Sequence, residues 1–237
     1  MSSTAIIAKR EFRSYFDSPI AYVVICLSLV GVGAFFFRDF WTINRASLGA
    51  LFTWLPWAFV FPIIPAVTMR LLAEEKRTGT IELLITMPVR DLEVVLGKFF
   101  ATLGLIAVLL LLTTPYLLFI GRLGQLDYGP VGVGYLGLIL EASAGIAIGL
   151  FASSVTENQI VAFMMTFCAL LFLFAVDYVG AAAGGVVGDI FAFISFQRRL
   201  APFGRGLLDL RNVVYFVSVT VFFIVLTVRS LESRKWK

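Results

Sequence analysis

The chain has 237 residues, of which 60% are apolar and 14% are charged, and its mean hydropathy is +0.96. So few charged residues cannot cover the polar surface of a soluble domain of this length, and the composition predicts an integral membrane protein. The chain has no histidine, which excludes the usual zinc ligand and the commonest general base. The net charge of +4 is interpreted through membrane topology, because nothing in the sequence indicates a nucleic-acid surface.

Residues 4–17 are predicted to form a helix that lies in the membrane interface. They combine Ile6, Phe12 and Phe16 with three basic residues, a mixture of apolar and cationic side chains that is typical of interfacial helices. The Asp-Ser-Pro sequence at 17–19 is expected to end this helix and to begin the first crossing helix, since proline is tolerated in a first turn.

Six apolar stretches are long enough, or nearly so, to cross the hydrocarbon core of a bilayer, which requires about 20 helical residues. The sequence therefore predicts an all-α, polytopic membrane protein with six transmembrane helices. Placing both termini in the cytoplasm puts twelve of the nineteen Lys and Arg residues on that side, as the positive-inside rule requires. The predicted spans are residues 20–37, 51–72, 99–120, 131–151, 160–179 and 213–228.

The second predicted span contains Pro56, Pro62 and Pro65. Each proline removes a main-chain hydrogen bond and displaces the carbonyl group one turn earlier, so this span is expected to be kinked. Two interpretations of the kink stay open. It is either a structural bend, since prolines are frequent in membrane helices, or a hinge of a transporter.

The polar segment 74–90 begins with four charged residues and is predicted to contain a short helix. Thr78 or Thr80 can cap the first turn of this helix, and Pro88 ends it. Asp91 is then expected to cap the next helix, which enters the third span. The apolar face of the short helix needs a partner, either the lipid headgroup region or a cytoplasmic protein. That face consists of Ile81, Leu84 and Ile85.

The fourth predicted span carries an acidic residue near its middle. Gly137, Glu141, Gly145 and Gly149 are spaced four apart and fall along one helical face, which is small enough for close helix contact. An unpaired charge at this depth costs at least about 3 kcal/mol. We expect Glu141, with Gly145 and Gly149, to line a dimer interface or the transport path. The alternative is a neutral carboxylic acid that is hydrogen-bonded across a helix interface.

Residues 181–208 contain a second apolar stretch that is too short to cross the membrane. One or two short helices are expected to dip into the outer leaflet and to bend at Pro202 and Gly204, and such a re-entrant segment must be covered by protein. A surface amphipathic hairpin is the alternative. Four of the basic residues that this topology places outside fall within residues 180–211: Arg198, Arg199, Arg205 and Arg211.

No nucleotide-binding motif is present in the sequence. The nearest fragment, "LEVVLGKFF" at 92–100, lacks the earlier glycine and the following Ser or Thr of a phosphate-binding loop. The chain is therefore not expected to hydrolyse ATP, and no catalytic constellation, cofactor site or metal site is predicted in it.

The segment "EEKRTGTIELL" at 74–84, followed by Pro88 and "VLGKF" at 95–99, resembles the first cytoplasmic loop of the permease subunits of type-2 ABC transporters. The stretches "KREFRSYFDSPIAYV" at 9–23 and "GLLDLRNVVYFVSVTVFF" at 206–223 are similar to the gliding-motility branch of that family, the GldF-like permeases. The resemblance runs nearly end to end.

The resemblance implies a non-catalytic permease in a prokaryotic cytoplasmic (inner) membrane, with both termini in the cytoplasm. Two copies of a separate cytoplasmic ABC ATPase would bind ATP and Mg²⁺ and drive export or mechanical movement, with the second and third spans moving as one lever. The second permease would be another copy of this chain, giving a homodimer, or a paralogue. The remaining implied partners are the lipid bilayer and an accessory membrane protein with an extracytoplasmic domain, with no nucleic acid.

The family's first cytoplasmic loop is a coupling helix that docks in a groove of the ATPase, next to the N-terminal interface helix, and re-entrant helices cap the outer side. The loop "SSVTEN" at 153–158 would be a lesser second contact. The residues that the resemblance assigns to the ATPase contact are Glu74, Glu75, Gly79, Thr80, Glu82, Leu83, Leu84 and Ile85.

A secondary transporter or channel that is independent of ATP is the alternative function. Such a protein is expected to show more polar residues along several spans, or internal repeats, whereas Glu141 alone lies deep in a predicted span. Within the ABC interpretation, export and mechanical use of ATP are both open.

Overall fold

The computed structural model describes residues 3–43, 49–79, 90–123 and 127–233. Within these ranges every regular element is a helix, and six helical segments are long and apolar enough to cross a membrane, which confirms the predicted all-α polytopic class. A π-helix, Phe59–Ile63, separates α3 from α4. The α-helices are α1 Ser3–Asp17, α2 Pro19–Ile43, α3 Gly49–Ala58, α4 Ile64–Thr68, α5 Ala73–Arg77, α6 Asp91–Leu112, α7 Thr114–Leu123, α8 Tyr128–Val155, α9 Gln159–Ala183, α10 Gly185–Ile194, α11 Phe196–Gly204 and α12 Leu210–Glu232.

The six spans follow from these helices in chain order. Span 1 is α2, span 2 runs through α3, the π-helix and α4, and span 3 runs through α6 and α7, while spans 4, 5 and 6 are α8, α9 and α12. Spans 4, 5 and 6 start at the side chains of Asp127, Asn158 and Asp209. Each of these side chains accepts a hydrogen bond from the main-chain N–H two residues later, at 2.9–3.1 Å. Such caps satisfy donors that the first helical turn leaves free.

The beginnings of spans 1 and 3 show how the local sequence places a helix end. As predicted, α1 ends at Asp17 and α2 begins at Pro19. The predicted cap of α6 was wrong by one residue, because Arg90 precedes the helix and Asp91 is already helical. The Glu93 carboxylate accepts a hydrogen bond from the Arg90 N–H at 3.2 Å, so the acidic residue in the third helical position closes this helix end.

Span 2 changes its helical type at the prolines. The main chain passes from α3 into the π-helix at Phe59, and the Ile64 N–H donates to the Phe59 carbonyl five residues earlier. Pro62 lies inside this segment and Pro65 follows it, and neither has an N–H to continue an α-helical ladder. The predicted kink thus takes the form of a π-helical turn.

Span 4 is the centre of the bundle. In its most apolar stretch 72% of residues are buried, against 28% for span 5 and 17% for span 6. Spans 2, 3, 5 and 6 and helix α11 all pack on it, and α1 lies along the first half of α6. We call the end of the bundle with α1, α5 and the last turn of α12 the terminal end, and the end with α7, α10 and α11 the distal end.

The segment between spans 5 and 6 forms two helices at the distal end. Its first bend lies at Ser195, whose side chain accepts a hydrogen bond from the Arg198 N–H at 3.2 Å. Pro202 and Gly204, where the bend was expected, lie in the last turn of α11, and the Pro202 carbonyl accepts from the Leu207 N–H at 3.0 Å where the chain leaves this helix. Helix α11 buries Phe196, Leu200 and Phe203, whereas no described side chain of α10 is buried.

Arg199 fixes α11 to the start of span 6. Its guanidinium lies 4.6 Å from the centre of the Phe193 ring and 5.3 Å from that of Tyr215. It also donates a hydrogen bond to the Asn212 side-chain oxygen at 3.2 Å. Local packing therefore accounts for one of the four basic residues between positions 180 and 211.

Candidate functional site

The segment assigned to the ATPase contact begins in the described part of the chain and continues beyond it. Glu74 and Glu75 lie on the short helix α5, where Glu74 is exposed and Glu75 is half-buried. Gly79 is the last described residue of the segment. The other predicted contact residues lie outside the described residues: Thr80, Glu82, Leu83, Leu84 and Ile85.

Gly79 ends this turn in a conformation that favours glycine. Its φ is +73°, in the left-handed region, and its N–H donates to the Lys76 carbonyl at 3.2 Å. The Thr78 hydroxyl donates to the Glu74 carbonyl at 2.9 Å. Thr78 therefore closes the end of α5. The helix that the sequence predicts to be capped by Thr78 or Thr80 lies outside the described residues.

Ser153, near the end of span 4, holds the start of α5. Its hydroxyl oxygen accepts hydrogen bonds from the main-chain N–H groups of Leu72, at 3.0 Å, and Ala73, at 2.9 Å. The same hydroxyl donates to the Met69 carbonyl at 3.1 Å. One buried side chain on span 4 thus satisfies three main-chain groups of the turn that links span 2 to α5.

Replacing Ser153 with alanine is expected to lower the free energy of unfolding by about 1–3 kcal/mol, because two buried N–H donors lose their acceptor. The measurement is thermal unfolding of the purified full chain in one detergent. Ser143 on the same helix is the matched control, since its hydroxyl only donates to the Ile139 carbonyl one turn earlier. Ser143→Ala should change stability by less than about 0.5 kcal/mol, and equal losses in both variants would contradict the anchoring role.

Lys76 gives α5 a second attachment to span 4. Its side chain is 7% exposed, and its ammonium group donates to the Ser154 carbonyl. The Ser230 hydroxyl of span 6 donates to the same carbonyl at 3.3 Å. The last turns of spans 4 and 6 and helix α5 therefore meet at one main-chain oxygen.

These contacts correct the prediction for the loop at 153–158. Ser153 and Ser154 are buried within α8, so they are not available to a docking protein. The exposed remainder of that loop includes Glu157 and Asn158.

A buried cation joins α5 to the N-terminal helix. Lys98, on the first half of span 3, is 2% exposed, and its ammonium nitrogen lies 2.6 Å from a Glu75 carboxylate oxygen and 3.4 Å from a Glu11 carboxylate oxygen. The two acidic side chains are 18% and 19% exposed. Three separate elements, α1, α5 and α6, therefore share one charge cluster, the Lys98 cluster of Glu11, Glu75 and Lys98.

A second polar contact fixes α1 on span 3 one turn further along. The Tyr15 and Thr102 hydroxyls are 2.9 Å apart, and the Arg70 guanidinium lies 5.4 Å from the centre of the Tyr15 ring. Burial raises the pKa of Tyr15, and the Thr102 hydrogen bond only partly opposes this shift. Tyr15 is therefore neutral at physiological pH and links α1 to both span 3 and the end of span 2.

The close contact of α1 with span 3 depends on two small residues of α6. A methyl group added to Gly97 would lie 2.6 Å from an Ile7 carbon, and one added to Gly104 would lie 3.2 Å from the Phe12 ring. Part of the apolar side of α1, from which an interfacial helix was predicted, thus packs against span 3.

Sequence reasoning missed the roles of Lys98 and Ser153. Lys98 was counted as a basic residue on the cytoplasmic side and as part of the motif "VLGKF", and its signal was a lysine within the apolar stretch 94–100. Ser153 carries no such signal, because a serine near the end of a span is common and its partners are main-chain atoms.

The face of span 4 that carries Glu141 lies inside the bundle. Glu141 is 2% exposed, and methyl groups added to Gly145 and Gly149 would collide with Ile64 and Thr68 of span 2. The chain's own helices thus fill this face and leave no room for a second chain. The structure favours a role within the bundle over a dimer interface, and a role in the transport path stays a prediction.

The described part of the chain thus forms a bundle of six helices that are long and apolar enough to cross a membrane, with an amphipathic helix and a charged segment joined at its terminal end, and this defines a polytopic membrane protein. The family model of the ABC-2 family transporter proteins matches residues 4–236. The chain therefore belongs to this family and is the membrane permease component of an ABC transporter. The comparison with curated proteins returned no match.

Proposed function

We propose that this chain couples an ATPase in the cytoplasm to movement of its own membrane spans, and that residues 74–85 form the docking site. The observation that carries the proposal is the attachment of α5. This helix leads directly into the predicted contact residues, and hydrogen bonds and an ion pair tie it to spans 3 and 4. A surface loop that only joins two spans does not require such contacts.

The attachments suggest how a displacement of the docked segment would spread. A push on α5 would act on span 3 through Lys98, on span 4 through Ser153, and on span 6 through the shared Ser154 carbonyl. It would also act on α1, since Glu11 belongs to the Lys98 cluster. We therefore extend the expected lever from spans 2 and 3 to a terminal-end unit that includes α1 and the last turns of spans 4 and 6.

The proposed partner is an ABC ATPase present in two copies, which would bind ATP and Mg²⁺. A second permease, either another copy or a paralogue, would complete the transporter. The terminal end would face the cytoplasm of a prokaryotic cell, because basic residues of α1, such as Lys9 and Arg13, and Arg70 and Arg77 lie there. The stretches at 9–23 and 206–223 favour the gliding-motility branch, with an accessory extracytoplasmic protein.

The test is copurification with the ATPase encoded by a neighbouring reading frame. We expect Leu84→Asp to reduce the amount of copurified ATPase at least tenfold, equivalent to about 1.4 kcal/mol of binding free energy, because a charge would replace an apolar contact. ATPase activity that depends on the permease should fall in parallel. Undiminished binding and activity would refute the assignment of this segment.

Leu207→Asp is the matched control for this experiment. Leu207 is 63% exposed and lies between α11 and α12 at the distal end, far from α5 along the bundle. The same change of chemistry there should leave copurification unchanged. A loss of ATPase with both variants would indicate a general failure of the permease, so a specific docking site requires that the two variants differ.

A further inference from the structure

Span 4 carries a buried acidic residue, Glu141, and span 2 contains a π-helical turn. Glu141 is buried, and neither of its carboxyl oxygens has a hydrogen-bond partner among the described residues. An ionised carboxylate without a partner costs several kcal/mol inside a membrane, whereas the protonated form is neutral and has an O–H to donate. A protonated Glu141 therefore needs a hydrogen-bond acceptor nearby.

The π-helical turn supplies such an acceptor, the carbonyl oxygen of Val60. In an α-helix its donor would be the Ile64 N–H, but that group donates to the Phe59 carbonyl. At π-helical spacing the donor would be residue 65, which is a proline and has no N–H. Val60 is 1% exposed, so its carbonyl has little access to water. A buried carbonyl without a donor is costly.

The register between spans 2 and 4 places Glu141 at the level of Val60. The two spans run parallel, and four contacts pair Gly134 with Phe52, Gly145 with Ile64, Gly149 with Thr68 and Ser153 with Leu72. In each pair the residue of span 4 comes 81 or 82 positions later in the sequence. The offset of 81, which holds at the three contacts toward the terminal end, pairs Glu141 with Val60, and the offset of 82 pairs it with the neighbouring Phe59, so Glu141 lies at the level of the π-helical turn.

We propose that Glu141, in its neutral form, donates a hydrogen bond to the Val60 carbonyl and so holds span 2 in its π-helical conformation against span 4. Pro65 prevents the main chain of span 2 from satisfying this carbonyl, and a side chain from the neighbouring span takes its place. Glu141 is thus a positioning residue for the kink of span 2. This role concerns the permease itself and does not depend on the ATPase.

The test uses Glu141→Gln, Glu141→Leu and Pro65→Ala in the purified full chain. Glutamine keeps a neutral donor, so Glu141→Gln should unfold within about 1 °C of the natural chain. Leucine removes the donor, so Glu141→Leu should lower the unfolding temperature by at least about 2 °C. Pro65→Ala adds an N–H at residue 65, so Pro65→Ala should recover at least half of that loss in the Glu141→Leu background.

Two results would overturn the proposal. One is that Glu141→Gln loses as much stability as Glu141→Leu, since the carboxyl group would then not act as a neutral donor. The other is that Pro65→Ala fails to recover the loss, since the acceptor would then not be the carbonyl that the proline leaves free. Infrared spectra provide an independent readout, because the natural chain should show a protonated carboxyl band that Glu141→Gln lacks, and a carboxylate band in its place would also overturn it.

Discussion

Replacing Lys98 with methionine is expected to detach α1 from span 3 and to abolish coupling to the ATPase. Methionine keeps the length and the apolar stem of the side chain but leaves the Glu11 and Glu75 carboxylates, which are less than one-fifth exposed, without their shared cation. Removing one partner of a buried ion pair costs about 3–5 kcal/mol. The local measurement is the rate of trypsin cleavage within α1, which contains Lys9, Arg10 and Arg13 and should be cut faster once it is released.

Two further variants separate this effect from a general loss of charge. Arg10 also pairs with Glu11, at 3.2 Å, but its side chain is 65% exposed, so Arg10→Ala should cost at most about 1 kcal/mol and leave coupling intact. Adding Glu11→Gln and Glu75→Gln to Lys98→Met removes the two carboxylates that have lost their shared cation and should restore part of the protection against trypsin. Unchanged cleavage of the Lys98→Met chain would contradict the role of the cluster.

Replacing Gly149 with valine is expected to separate spans 2 and 4 and to destabilise the permease by about 1–3 kcal/mol or more. A Cβ atom at this position would overlap the Thr68 hydroxyl and would lie 2.6 Å from its Cβ. Thr68 is itself buried and donates to the Ile64 carbonyl at 2.7 Å, so it has little freedom to move. The measurement is thermal unfolding, together with ATPase activity that depends on the permease.

Gly132 on the same helix is the matched control for Gly149. Nothing lies within 4 Å of a methyl group added there, so Gly132→Ala should be neutral or stabilise the helix by up to about 1 kcal/mol. The double variant Thr68→Gly and Gly149→Ala places the glycine on span 2 and the methyl group on span 4. It should be more stable than Gly149→Ala alone. If Gly149→Val changes stability as little as Gly132→Ala does, spans 2 and 4 are not in close contact at Gly149 and Thr68.

The predicted and observed helices differ most where side chains from distant parts of the chain decide the local structure. The prolines of span 2 predicted a kink, but they did not predict a π-helix, and this turn packs against spans 1 and 5, which lie elsewhere in the sequence. Asp91 was a reasonable cap from its position alone, yet Glu93 closes the helix from three residues after Arg90. Ser195 ends α10 without a nearby proline or glycine signal, whereas Pro202 and Gly204 lie in the last turn of α11.

The face of Glu141 illustrates what a pattern along one helix leaves open. The four-residue spacing of Gly137, Glu141, Gly145 and Gly149 correctly predicted a face made for close helix contact. It could not identify the partner, because a small face fits a second chain as well as another span. The Ile64 and Thr68 contacts assign that face to span 2 of the same chain.

Composition and hydropathy along the chain are enough to predict a helical protein with six spans and a charged segment after the second span. These features depend on the length and composition of short stretches, and the thickness of a bilayer fixes how long an apolar stretch must be. The contacts of Lys98 with Glu11 and Glu75, and of Ser153 with the start of α5, arise only when the helices pack together. Those contacts join residues 23 to 87 positions apart, and hydropathy along the chain carries no information about which helices become neighbours.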